Sequence, residues 1–158
     1  MKKNVLDFSP SLATGFVAEQ EGFSETAYLC PAGVWTIGYG HTQGVMAGDK
    51  MTMNEALETL ELDLNAFQKD LATIVKVPLT VGMFVALMSF IYNFGVAKCR
   101  GYTLFKLLNQ GKYKEASSWF PKYCSPNTPY EKGLKARRLR EQAMFERDGF
   151  YDLNERTR

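Results

Sequence analysis

Glu21, Cys30 and Thr36 supply a carboxyl, a thiol and a hydroxyl separated by eight and then five residues, and Thr36 lies inside Trp35-Thr36-Ile37-Gly38-Tyr39-Gly40-His41. A carboxyl group can hand a proton to a leaving oxygen, a hydroxyl can hold a water, and a thiol beside a base can act as nucleophile. His41 is the sole histidine, which removes H-E-x-x-H zinc hydrolases and multi-histidine metal centres. The chain has neither a G-x-S-x-G elbow nor a phosphate loop, and no cofactor or metal is expected.

The elements that must position these groups follow from the pattern around them. Ser9 before Pro10 predicts a helix start, and Leu12, Phe16 and Val17 predict an amphipathic helix ending near Gly22, with Glu21 at its C-terminal end. Residues 26–46, with Tyr28, Val34, Trp35, Thr36, Ile37 and Tyr39 punctuated by Pro31 and several glycines, predict a hairpin or small sheet. Thr52 and Glu55 form a capping-box pattern, after which Leu57, Leu60, Leu64, Phe67 and Leu71 recur at helical spacing to about Val75. The run 81–92 is apolar on every face yet too short to span a bilayer, so it predicts a central buried helix. Shorter helices are expected over 104–108, 113–120 and 132–147, ending at Gly111, Pro121 and Gly149. Glu21 therefore belongs where a helix meets a sheet, and His41 is expected to pair with an acid of the long helix.

Composition bounds the rest. A chain of 158 residues with 46% hydrophobic content can bury one compact core. The net charge is only +2, but Lys132, Lys135, Arg137, Arg138 and Arg140 crowd one stretch, the pattern of a solvated helix face or a surface for an anionic polymer. Three cysteines, Cys30, Cys99 and Cys124, fit reduced thiols in a chain folded in the cytoplasm. Asp7, Ser9, Pro10 and Ser11 interrupt any apolar run after Lys3, so no export segment or stable membrane insertion is expected.

The stretch from Glu21 to His41 resembles the signature of the phage-type lysozymes and endolysins of glycoside hydrolase family 24: Glu, eight residues, Asp or Cys, five residues, Thr, then a T-I-G-x-G-H segment. The resemblance continues through Ser89-Phe90-Ile91-Tyr92-Asn93-Phe94-Gly95, Thr103-Leu104, Leu107-Leu108-Asn109-Gln110-Gly111, Gly133-Leu134, Arg137-Arg138 and Glu141. It implies an α+β, lysozyme-like fold: a small antiparallel β-sheet lobe over 12–51, a connecting helix over 52–75 and a larger helical lobe over 76–158, with the cleft between lobes. It also implies an inverting muramidase that hydrolyses the β-1,4 bond between N-acetylmuramic acid and N-acetylglucosamine in peptidoglycan glycan strands. Glu21 is then the acid and Cys30 and Thr36 help the water, with Gly38, Gly40, His41, Arg137 and Arg138 in supporting places. The implied setting is host-cell lysis by a monomer that waits in the host cytoplasm and reaches the periplasm and wall once a holin opens the inner membrane.

Glycosidic cleavage needs an acid that stays protonated near neutral pH, so Glu21 is expected among apolar neighbours that offset the cation of a nearby arginine. Cys30 departs from the Asp of most family members; a neutral thiol carries no charge, and Glu25 is a candidate to replace it. Two other readings compete. A peptidoglycan amidase or endopeptidase could use Cys30 with His41, although no third, orienting residue is evident; a basic module could dock α-helical Arg137 on nucleic acid, which the weak net charge opposes.

Overall fold

The computed structural model describes residues 1–150; residues 151–158, assigned above to the helical lobe, lie outside the described residues. A 3-10 turn at Pro10–Ala13 leads into α1 (Thr14–Glu21), followed by β1 (Ser24–Leu29) and β2 (Trp35–Gly38). The helices α2 (Met53–Ile74), α3 (Val81–Phe94), α4 (Val96–Cys99), α5 (Thr103–Asn109), α6 (Tyr113–Ser117) and α7 (Glu131–Glu146) complete an α+β fold.

Local chemistry sets most boundaries. Pro10 takes the first position of the 3-10 turn, but the Ser9 hydroxyl lies 2.8 Å from Ser11 Oγ and caps no backbone group. The capping box at α2 is complete, with Glu55 N–H donating to Thr52 Oγ1 and Thr52 N–H donating to Glu55 Oε1, both at 3.1 Å. Thr80 caps α3 by a single bond, its Oγ1 accepting from Met83 N–H at 3.2 Å.

The helix expected over 113–120 stops at Ser117; Pro121 falls inside a separate 3-10 turn, Phe120–Lys122, where its missing N–H is harmless. The four-residue α4 has no counterpart among the helices expected from the sequence. The sheet is also smaller than expected, because the chain leaves extended geometry at Gly38, and only an isolated bridge joins Ile37 to His41.

The two strands pair antiparallel, with Tyr28 opposite Thr36 and Leu29 opposite Trp35, and a bulge between Ser24 and Tyr28. Behind them α3 is buried from Gly82 to Ile91, as an all-apolar run requires. Around it one continuous core takes in Val17 of α1, Leu60, Leu64 and Leu71 of α2, Leu104 and Phe105 of α5, Phe120, and Phe145 of α7. Phe90 touches Phe94, Tyr102, Phe105, Phe120 and Tyr123 with ring centroids 4.9–6.1 Å apart, which locks α3 to the α5–α6 region.

Candidate active site

Glu21 is the last residue of α1. Gly22 N–H closes the helix on the Ala18 carbonyl at 2.9 Å, after which the chain turns into β1. The carboxyl side chain is 16% exposed and ion-paired through Oε2 with Arg137 Nη1 of α7. Its other oxygen meets the backbone of Gly40, where a Cβ would overlap Oε1 and lie 3.1 Å from the Tyr92 ring. Gly40 also has φ +79°, so both its conformation and its neighbour call for glycine. Tyr92 of α3 steadies this approach by donating its hydroxyl to the Tyr39 carbonyl at 2.7 Å.

Arg137 is held from three sides. It donates to the Ser89 carbonyl and Oγ from Nη2 at 3.0 and 3.3 Å, and to Glu141 Oε2 from Nε at 3.3 Å. Ser89 Oγ donates to the same Glu141 oxygen at 2.5 Å. Glu141 is wholly buried and also pairs with Arg138, whose Nε lies 2.6 Å from its Oε1. The Arg138 guanidinium sits 4.9 and 4.5 Å from the Phe90 and Phe94 rings. Two carboxylates and two guanidiniums thus join α1, α3 and α7 with balanced charge, which such a buried network requires. The basic cluster read from the sequence splits accordingly: Lys132, Lys135 and Arg140 are exposed, whereas Arg137 and Arg138 are buried, and Arg137 alone of that pair contacts Glu21.

Cys30 follows β1 in a turn where its N–H donates to the Val34 carbonyl at 3.0 Å and its carbonyl accepts from Gly33 N–H at 2.8 Å. Hydrogen bonding from the backbone at Val34, reinforced at Ala32, holds the thiol below its usual pKa despite some burial. Thr36 is buried and donates Oγ1–H to the Val34 carbonyl at 3.0 Å.

Glu21, Cys30, Thr36 and Gly40 line a single cleft of about 420 Å³, together with Tyr28, Tyr92, Asn93, Tyr130 and Leu134. An adjoining hollow of about 390 Å³ shares Cys30, Gly40, Tyr92 and Asn93 and adds His41 and Asp63. Glu25, the candidate source of replacement charge, is exposed on β1 and is not among the residues lining the cleft. Gly38 is buried away from it, and a Cβ there would come 3.1 Å from that of Ala56, so it lets β2 lie against α2.

His41 Nδ1 lies 2.7 Å from Asp63 Oδ2 of α2. Asp63 is therefore the orienting residue that the sequence did not reveal for a Cys30–His41 peptidase, but the Cys30 thiol takes its hydrogen bonding from the backbone of the Val34 turn and not from His41.

Sequence reasoning gave no role to Ser89, Tyr92, Asn93 or Glu141. Their blocks match the family pattern, and Glu141 four residues after Arg137 is a helical ion-pair spacing that was there to be read.

The phage lysozyme family model matches residues 18–141. The chain is 38% identical over 135 residues to an endolysin of Acyrthosiphon pisum secondary endosymbiont phage 1, covering 82% of this chain and 92% of the relative. It is 37% identical over 125 residues to a SAR-endolysin of Pseudomonas phage phiKMV, covering 77% of this chain and 78% of the relative. Among solved structures, the muramidase domain of SpmX from Asticaccaulis excentricus superposes with a TM-score of 0.78 at 28% identity, covering 85% of this chain and 94% of that one.

Proposed function

The chain belongs to the phage lysozyme family, and from that premise we propose that it is an endolysin that hydrolyses the β-1,4 bond between N-acetylmuramic acid and N-acetylglucosamine with Glu21 as proton donor. The observation that carries this reading is the joint placement of Glu21, Cys30 and Thr36 on one cleft, with Arg137 fixed against Glu21.

A glycan strand in the cleft brings its glycosidic oxygen to Glu21, which protonates it as positive charge develops on the sugar. Arg137 receives the carboxylate left behind and, anchored on Ser89 and Glu141, need not reorganise to do so. On the sheet side, the Thr36 hydroxyl gives its own proton to the Val34 carbonyl, so its oxygen is left to accept a hydrogen from water. That bond turns a water lone pair toward the anomeric carbon. The Cys30 thiol, held toward its ionised form by the same turn, supplies a second acceptor where the family's Asp would stand. A water placed opposite the acid inverts the anomeric centre.

Glu21→Gln is expected to abolish lysis of outer-membrane-permeabilised cells, while Cys30→Ser keeps part of it. Full activity in Glu21→Gln with none in Cys30→Ser would instead select the Cys/His amidase. Mass analysis of digested peptidoglycan should show new reducing ends on muramic acid, and free stem peptides would refute the bond assignment.

The proposed setting is a monomer that accumulates in the host cytoplasm until a holin admits it to the wall. Periplasmic enzyme in cells lacking a holin would overturn that route in favour of the one named for the SAR-endolysin relative.

A further inference from the structure

We infer that Tyr28 and Tyr130 are stacking platforms for pyranose rings of the glycan strand, one on each lobe of the cleft; this rests on the muramidase reading above. A pyranose ring offers flat C–H faces between polar edges. A phenol ring offers a rigid apolar face with a polar tip at small conformational cost, so the two surfaces match.

Among the described residues, Tyr28 and Tyr130 are the only aromatic side chains that stand exposed, at 42% and 50%, and both line the cleft that holds Glu21. The other described aromatic rings are tucked at least partly into the fold. Isolated exposed apolar groups need no explanation, but two rings confined to one concave surface do.

Tyr28 lies opposite Thr36 in the strand register, so the two side chains share one face of the sheet. Burial first, then the charge of Glu21, raises the Tyr28 hydroxyl pKa, which ties the ring to the same site.

Tyr130 precedes α7 and lies one turn before Leu134, another cleft residue, so both project from the same side of that helix start. The loop that presents it carries the only non-glycine residues of positive φ among those described, Ser125 at 49° and Asn127 at 63°. Such conformations persist only where neighbours enforce them. Here Thr128 Oγ1 donates to the Ser125 carbonyl at 2.7 Å, and Asn127 N–H donates to Glu131 Oε2 at 3.3 Å. The loop thus keeps Tyr130 turned outward rather than folded into the core.

Substrate contacts that are equal in ground and transition states raise KM when lost and leave kcat alone. In the full chain, Tyr130→Ala and Tyr28→Ala should each raise KM for peptidoglycan about tenfold, with kcat held within about twofold and Tm unchanged. The matching Phe variants should restore KM, because the ring face and not the hydroxyl makes the contact. Wild-type KM in the Ala variants, or Phe variants as impaired as Ala, would overturn the inference.

Binding to purified sacculi separates this inference from the assignment of the acid. In a Glu21→Gln background, adding Tyr130→Ala should weaken sedimentation with sacculi by a similar factor. If Glu21→Gln retains catalysis, the proton donor has been misassigned, yet the binding difference still decides for or against the tyrosines.

Discussion

Replacing Gly40 with alanine puts a methyl group too close to Glu21 Oε1 for both to keep their places and 3.1 Å from the Tyr92 ring. Two penalties follow from different causes. An L side chain at φ +79° costs about 1–2 kcal/mol, which in a chain of this size lowers Tm by about 2–8 °C. The overlap must also push the carboxyl aside, since Tyr92, bonded to the Tyr39 carbonyl, leaves the methyl little room. A displacement on the order of 1 Å in a reacting group lowers rate about a hundredfold.

Gly111 separates the two penalties, because it has φ +77° but nothing within 4 Å of the place a Cβ would take. Gly111→Ala should lose comparable Tm and keep near-normal turnover of peptidoglycan, whereas Gly40→Ala should lose both. Turbidity clearance of permeabilised cells, run beside calorimetric melting, makes the comparison. If Gly40→Ala clears cells at the rate of Gly111→Ala, the close seat of Glu21 against the loop is unimportant and the reasoning fails.

Two further outcomes follow from the same network and from the thiols. Glu141→Gln removes the carboxylate that pairs with both buried guanidiniums and should cost about 3–5 kcal/mol in urea unfolding, against a small effect if the charges were screened by solvent. Cys30 should alkylate with iodoacetamide at a pH below that of a free thiol, because its lowered pKa enlarges the thiolate fraction, while Cys99, buried and pushed up to about 12, stays unmodified in the folded chain; equal labelling of the two by mass spectrometry would contradict this.

Much of the architecture is legible because its signals are local. The Thr52–Glu55 capping box marks the start of α2, and a run apolar on all sides marks α3 as interior. The spacing of Glu21, Cys30 and Thr36, read through family resemblance, brings attention to side chains that do share a cleft.

What escaped was tertiary in origin. Five basic residues in one stretch look alike by composition; the family resemblance singles out Arg137 and Arg138, but only the positions of Glu21, Glu141 and Ser89 distinguish Arg137, which reaches the carboxyl, from Arg138, which does not. The Gly-rich segment after Ile37 has the composition of strand, yet Gly38 and Gly40 both adopt left-handed backbone and end the ladder early. Tyr28 and Tyr130 are remote in sequence, and nothing short of folding reveals that they border the same space.

The pairing of Glu21 with Arg137 moors the carboxyl to the helical body, whereas Cys30 and Thr36 travel with the hairpin. The two halves meet at Gly40, whose backbone follows β2 and abuts the Glu21 carboxyl. Acid and water are thus aligned by one narrow seam between a helix end and a hairpin, and a change on either side of that seam is passed to the other.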